Sequence, residues 1–307
     1  MQTLKISLPA TSANLGPAFD AAAMALDLEL RIQAKKAAKF SIVATGRDSG
    51  VCSRVENHLI LTTYREVLES EKKRIIPLAL NIENEFPIGK GFGSSAAARL
   101  AGIALAVHFG RLRWNRSRIV GEAARREHHP DNASACWMGG VTVARMITDS
   151  QAQVARLMPK GKWPLLIAIP DESLPTEKAR EVLPLEYSRA DAVANIQNSM
   201  LLLAALFQGD HKLLASALQD RIHEPYRARL CPLLPALREF PGKDDVLGAV
   251  LSGAGPSVLM FLDPKARQEK TKTRVESFLR KKGLKAELVL TSIRKRGGEA
   301  SFLRRAR

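Results

Sequence analysis

The sequence predicts an α+β protein of two domains, and three observations lead to that expectation. Strand-like and helix-like apolar patterns are interleaved along the chain, so neither an all-helix nor an all-strand class fits. At 307 residues the chain is longer than one core usually supports. Its 46% hydrophobic and 25% charged residues are spread throughout, which excludes wholesale disorder. A polar stretch over residues 148–162 interrupts the apolar pattern and divides the chain into domains 1–155 and 156–307.

In order, apolar segments at residues 4–8, 21–32 and 77–82 read as strands. Helical periodicity marks residues 59–68 and 94–109, where Ala, Leu, Ile and Val recur every three or four positions. Residues 139–147 are strand-like, and the strongly apolar 163–169 reads as a buried strand. The second half predicts helices over 176–183, 190–207 and 211–222, then two strands split by a glycine turn within 246–262. No internal repeat or low-complexity tract is present.

The formal charge is +16, but residues 264–307 hold fifteen Lys and Arg against four Asp and Glu, so most of the excess lies in the tail. Only three Tyr and three Trp are present, and no basic run is interleaved with aromatic residues that could stack on bases, which disfavours nucleic acid as a partner. Three widely spaced cysteines, Cys52, Cys136 and Cys231, suggest neither a disulfide framework nor a zinc site. With no apolar run of about 18 residues and no secretory h-region, a cytoplasmic protein without a membrane partner is expected. The pattern is compatible with a homodimer.

Four segments carry more chemistry than packing requires. In residues 87–98, PIGKGFGSSAAA, three spaced glycines allow close backbone approach and positive φ, and Ser94 and Ser95 open a small-residue helix. Free N–H groups and the positive end of the helix dipole make such a loop an anion cradle, with a polyphosphate its natural occupant. A Walker A sequence is absent, and the GxGxxA match lacks the acidic residue of a dinucleotide fold. PATSANLGPAFD, residues 9–20, places small hydroxyl and amide groups on the loop leaving the first strand. EHHPDN, residues 127–132, sets an imidazole, a carboxylate and an amide around a proline turn. LSGAGPS, residues 251–257, interrupts two apolar runs with glycines that imply close backbone approach. Taken singly, each is also compatible with an ordinary turn or helix cap.

Together they resemble the GHMP kinase superfamily, the group of galactokinase, homoserine kinase, mevalonate kinase and phosphomevalonate kinase. PIGKGFGSSAAA is similar to its phosphate loop and LSGAGPS to its C-terminal glycine motif. PATSANLGPAFD and HHPDNASACWMGG are most similar to homoserine kinases, as are PTEKAR at residues 175–180 and EPYR at residues 224–227. Ala18, Phe92 and His128 depart from the family pattern without deleting a polar ligand, and the similarity of motifs fades after Leu262.

The resemblance implies an N-terminal ribosomal-protein-S5-like domain and a C-terminal ferredoxin-like domain. It implies ATP with Mg²⁺, and L-homoserine as the small-molecule substrate, phosphorylated on its side-chain hydroxyl in threonine biosynthesis. Pro87, Ile88, Gly89, Lys90, Gly91, Phe92, Gly93, Ser94, Ser95, Ala96 and Ala97 are the expected nucleotide residues. Arg180 and Arg227 suit a carboxylate clamp, because guanidinium presents a planar fork. Asp20 and Asp131 are the expected partners of the ammonium group, with His129 and Thr176 completing the pocket. Asn14 and Asn132 are expected to touch the substrate and aim its hydroxyl without a dedicated base. Ser95 and a glutamate are the expected metal ligands; Glu122 is favoured by spacing over Glu127. Two rival readings remain: another small-molecule kinase of the superfamily, and a non-catalytic nucleotide-binding regulator. The paired acids argue against a substrate lacking an ammonium group, and the intact glycine loop argues against a regulator.

Overall fold

The computed structural model describes residues 3–240 and 245–300; residues 301–307 of the expected basic tail lie outside the described residues. The first half runs β1 (Leu4–Ala13), β2 (Ala22–Lys36), β3 (Ser41–Gly46), α1 (Ser49–Cys52), α2 (Leu59–Ser70), β4 (Leu78–Asn84), α3 (Ser94–Phe109), α4 (Arg116–Glu127), α5 (Asp131–Met138), β5 (Val141–Thr148) and β6 (Gln151–Leu157). It continues with β7 (Pro164–Ile169), α6 (Thr176–Glu181), α7 (Arg189–Gln208), α8 (His211–Ala217), α9 (Glu224–Arg227), α10 (Leu233–Arg238), β8 (Val246–Leu251), β9 (Val258–Leu262), α11 (Gln268–Lys281), β10 (Glu287–Ser292) and β11 (Glu299–Ala300). This is a mixed helix-and-sheet architecture built on two sheets.

The first sheet follows the order β11-β1-β2-β4-β3, with β5 pairing β2 and β6 pairing β5. Its pairings are antiparallel except β3 with β4. Helices α2 to α5 cover one face, and their Leu, Ile and Ala side chains share one core with β1, β2 and β4. Helix α3 sits deep in that layer because its residues are small: a Cβ at Gly102 would stand 2.5 Å from the carbonyl oxygen of Ile60 in α2.

The second sheet, β10-β7-β9-β8, is antiparallel throughout. Its central strands are apolar on both faces. Leu165 and Ile167 of β7 and Leu259 and Phe261 of β9 join the first core, whereas Leu166, Ala168, Met260 and Leu262 face a second one with α10 and α11. Burial on both sides explains why 163–169 reads as an unbroken apolar run.

Two departures from the sequence expectation have physical causes. The polar stretch 148–162 contains β6, the outer strand of a hairpin whose alternate side chains face solvent. The helix expected over 211–222 ends at Ala217 because the Asp220 carboxylate accepts hydrogen bonds from the backbone N–H groups of Ile222, His223 and Glu224, turning the chain. The basic segment beyond Leu262 is likewise structured: α11 packs on the second sheet, β10 completes it, and β11 returns to pair with β1.

Candidate active site

The cleft is assembled where three glycine-bearing loops meet. At the end of β1, Asn14 (φ 70°) turns the chain, a left-handed conformation that Asn tolerates better than most residues. Its Nδ2 donates to the Gly253 carbonyl (2.8 Å) and its Oδ1 accepts from the Asp20 N–H (3.0 Å). The Gly253 N–H donates back to the Ala13 carbonyl (3.1 Å), and Ser252 Oγ donates to the Gly91 carbonyl (2.6 Å). Thr11 N–H donates to the Phe92 carbonyl (2.9 Å), tying β1 to the glycine loop.

Within that loop, crowding rather than ligand access alone requires glycine. A Cβ on Gly93 would lie 1.9 Å from Thr11 Oγ1, and one on Gly91 would lie 2.2 Å from the Ser252 carbonyl oxygen. Gly93, at φ 65°, leads directly into α3, so the free N–H groups of that helix open onto the cleft. Phe92, Ala96 and Ala97 are fully buried, so they meet the cleft through backbone at most. Lys90 Nζ donates to the carbonyls of Pro170 (2.8 Å) and Asp171 (2.9 Å), which uses the ammonium to clip the loop to the segment after β7.

A cavity of about 140 Å³ beside the loop brings together Asn14, Asp20, His129, Asp131, Asn132, Thr176, Arg180 and Arg227. Arg180 donates to both oxygens of Asp20, at 2.7 and 2.9 Å. Arg227 is buried; its Nε donates to the Ala179 carbonyl (2.8 Å) and its Nη1 to His223 Nδ1 (3.2 Å). The other ring nitrogen of His223 lies 2.9 Å from the Gly16 carbonyl and must carry the proton, leaving Nδ1 as the acceptor. Phe19 sits between these groups, stacked on His223 and with the Arg180 and Arg227 guanidinium carbons 5.5 and 5.2 Å from its ring centre.

The charges perturb one another. Burial acts to lower the His129 pKa, but the hydrogen bond to Asp131 Oδ1 (2.5 Å) and that carboxylate's charge outweigh it, so the imidazolium is favoured. Desolvation, with Arg180 nearby, lowers the Arg227 pKa, whereas Asp20 raises that of Arg180. Burial, reinforced by the charge on Arg227, holds His223 well below its ordinary value despite Asp220. Behind them Glu224 is fully buried; its Oε1 accepts from the Leu251 N–H (2.6 Å), Oε2 pairs with Arg238, and burial pushes its pKa up to about 7. His223, Phe19 and Glu224 were not assigned a role from sequence, although Phe19 lies in the PATSANLGPAFD segment and Glu224 in the EPYR motif.

Both asparagines line the cavity. Asn132 Oδ1 accepts from Thr11 Oγ1 (2.6 Å) and its Nδ2 lies 3.4 Å from Asp131 Oδ1, so each asparagine is held through its carbonyl oxygen as well as its amide nitrogen. The structure separates the two glutamates considered as metal ligand, and it is not Glu122 that lies beside Ser95. Glu127 Oε1 accepts from Ser95 Oγ (2.6 Å) and pairs with Arg99 (2.5 Å), and Glu127 lines the cleft. Glu122 faces elsewhere, paired with Arg125 (2.9 Å) and Arg126 (3.1 Å). The physical reason is helical geometry: five residues turn α4 by about 500°, which leaves the two carboxylates roughly 140° apart.

A second cavity of about 460 Å³ adjoins the first through Gly89, Ser94 and Ser95. Val51, Phe86 and Ile88 give it apolar walls, and Asn57 and His58 give it polar edges. His58 Nε2 lies 3.1 Å from the Cys52 carbonyl, and its buried Nδ1 has no hydrogen-bond partner in the structure. The sequence contained no motif that would have identified this pocket; it arises from α1 and α2 standing over the glycine loop.

Comparisons with known proteins bear on this geometry. The family model for the GHMP kinases N terminal domain matches residues 58–140, and that for the GHMP kinases C terminal matches residues 202–281. The second match extends the likeness into α11, past the point where motifs alone could be followed. A homoserine kinase of Solibacter usitatus is 41% identical over 296 residues, covering 96% of both chains. One from Desulfitobacterium hafniense is 34% identical and covers 96% of this chain and 98% of its own. In fold, the crystal structure of homoserine kinase from Cytophaga hutchinsonii superposes with a TM-score of 0.81 at 22% identity over 98% of both chains. The L. major mevalonate kinase solved with R-mevalonate reaches a TM-score of 0.70 at 14% identity, covering 95% of this chain and 96% of its own. Matches to both family domains, and to such relatives over nearly the whole length of the chain, lead to one conclusion: the chain belongs to the homoserine kinase family of the GHMP kinases.

Proposed function

We propose that the protein transfers the γ-phosphoryl group of ATP to the side-chain hydroxyl of L-homoserine, giving O-phospho-L-homoserine and ADP. The observation that carries this reading is the small cavity that holds two arginines and two aspartates directly beside the glycine loop. A zwitterionic amino acid has one end for each sign of charge, and a substrate lacking the ammonium would leave Asp20 and Asp131 facing nothing cationic beyond the protein's own side chains.

In this reading Arg180 and Arg227 take the carboxylate, Asp20 and Asp131 take the ammonium, and His129 and Thr176 close the pocket. Phe19 keeps the two guanidinium groups apart and oriented. Asn14 and Asn132 hydrogen-bond the hydroxyl and aim it at the γ-phosphate, and no side chain is required to abstract its proton before transfer. The backbone N–H groups from Gly89 to Ser95 take the phosphates. The adjoining pocket with its apolar walls takes the adenine.

Ser95 and Glu127 offer a hydroxyl and a carboxylate side by side, a hard oxygen pair that fits Mg²⁺, and they are the residues that would hold it. When bound, the ion neutralises charge spreading over the phosphate oxygens. The test is ADP release measured with a panel of alcohols. Homoserine should give robust turnover, whereas preference for mevalonate or another non-amino acid would overturn the substrate assignment.

A further inference from the structure

The Glu224 carboxylate is fully buried, yet it lies outside the cavity that Arg227, on the same short helix α9, helps to line. A carboxyl group is costly to bury unless partners take its oxygens, and the partners here have a common origin. β8 is an edge strand of the second sheet, so backbone groups on its outer side have no neighbouring strand to pair with. The Glu224–Arg238 pair stands in for one. Glu224 Oε1 accepts from the Leu251 N–H (2.6 Å), Arg238 Nε donates to the Ala249 carbonyl (3.3 Å), and the two side chains pair through Oε2 and Nη2. Alternate residues of a strand turn their backbone groups to one side, so this pair grips β8 at its very end. The turn that braces the cleft follows at once. Ser252 Oγ donates to the Gly91 carbonyl (2.6 Å) of the glycine loop, and the Gly253 carbonyl accepts from Asn14 Nδ2 (2.8 Å).

We propose, on the homoserine reading of the cleft, that Glu224 is a positioning residue for phosphoryl transfer: through the Leu251 N–H it fixes the 252–253 turn against α9. The hydroxyl aimed by Asn14 and the phosphates held around Gly91 thereby keep their alignment with the carboxylate held by Arg227. Helix α9 is a firm base for this, because the Asp220 carboxylate accepts from the His223 and Glu224 N–H groups (2.7 and 2.6 Å) and Arg227 Nε donates to the Ala179 carbonyl (2.8 Å). Reach, rather than charge, is what the geometry asks of the side chain. Burial works against the charged form, and a neutral carboxyl still presents an acceptor oxygen to Leu251. Misplacing reacting groups by about 1 Å can cost on the order of a hundredfold in rate, so a slack turn should act on the transfer step before it acts on binding.

Steady-state kinetics on conservative variants of the full-length chain test the role, each variant assayed well below its melting midpoint. Glu224→Asp keeps the charge but withdraws the acceptor from Leu251 by one methylene. It should lower kcat by at least about tenfold while both KM values stay within about threefold of wild type, because the arginine clamp and the loop amides remain. Glu224→Gln keeps the length and an acceptor oxygen, and Arg238, with its side chain 39% exposed, can turn to water. That variant and Arg238→Met should each hold kcat within about threefold of wild type. Ser252→Ala, one link further along, should repeat the kcat-selective loss and decides the matter should Glu224→Asp fail to fold. An unchanged kcat in Glu224→Asp or Ser252→Ala, a Glu224→Gln or Arg238→Met enzyme as slow as Glu224→Asp, or a loss confined to the KM for homoserine would each overturn the proposal. A wild type that phosphorylates a different alcohol overturns the substrate reading instead, and the same variants assayed with that alcohol still judge Glu224.

Discussion

Asp20 and Arg180 form an ion pair, 2.7 and 2.9 Å between the guanidinium Nη2 and the two carboxylate oxygens, across 160 residues of sequence. Both side chains are about a third exposed, so the pair itself adds little stability, and its value lies in holding opposite charges at the cleft mouth. Arg180→Ala should therefore leave the melting temperature nearly unchanged and raise the KM for homoserine by at least about tenfold through loss of a charge-assisted contact. Steady-state kinetics and a thermal melt measure the two effects; an unchanged KM would remove Arg180 from the substrate pocket.

The two candidate metal carboxylates give opposite expectations. Glu127→Gln should raise the Mg²⁺ concentration needed for half-maximal activity by about tenfold or more, because a charged oxygen beside Ser95 is lost. Glu122→Gln should leave the Mg²⁺ dependence alone and lower stability through Arg126, whose guanidinium it neutralises in a half-buried site. Magnesium titrations of both variants decide between them.

His223 should remain neutral where an ordinary histidine has titrated. Its folded pKa lies below the usual 6.5, so its contribution to stability is complete above about pH 6.5 and is lost as pH falls from there toward the folded value. Glu224, raised to about 7, acts in the opposite sense, its contribution being complete below about 4.5 and lost as pH rises toward 7. Ring ¹⁵N shifts separate the two: they should show an Nε2-protonated neutral ring at pH 5.5, and a midpoint near 6.5 would contradict the Arg227–His223–Gly16 chain.

Glycine replacements should divide by what a methyl group meets. Gly93→Ala drives Cβ into Thr11 and Asn132 and should lower the melting temperature along with activity. Gly89→Ala meets nothing nearer than Ser173 Cβ at 3.7 Å, so it should fold at a cost of about 1 kcal/mol for its positive φ and weaken ATP binding selectively. Calorimetry on both proteins checks this; equal loss of stability would refute the distinction.

The cleft was legible in the sequence wherever function is carried by a short run of residues. Asn14, Asp20, Asp131, Arg180 and Arg227 each lie in a motif, and they converge on one cavity. Legibility failed where direction in space matters. Glu122 and Glu127 differ by helical phase, which spacing along the chain does not reveal without knowing the face that α3 presents. The larger pocket beside the glycine loop has no sequence signal because α1 and α2 contribute ordinary apolar side chains that become a wall only after packing. Strand β6 was hidden by its polar composition, as an outer hairpin strand buries only alternate residues.

The hydrogen bond from Asn14 to Gly253 joins residues 239 apart, and β1 finds its outer neighbour in β11 at the far end of the chain. During translation at 5–20 residues per second the amide of Asn14 therefore waits on the order of ten to fifty seconds for its acceptor. For roughly the last two thirds of that interval the glycine loop has been made but lacks Ser252 and Gly253 to brace it. A nascent chain halted on the ribosome before that point carries the phosphate-loop sequence yet no finished cleft, so phosphoryl transfer begins only once nearly the whole polypeptide has been made.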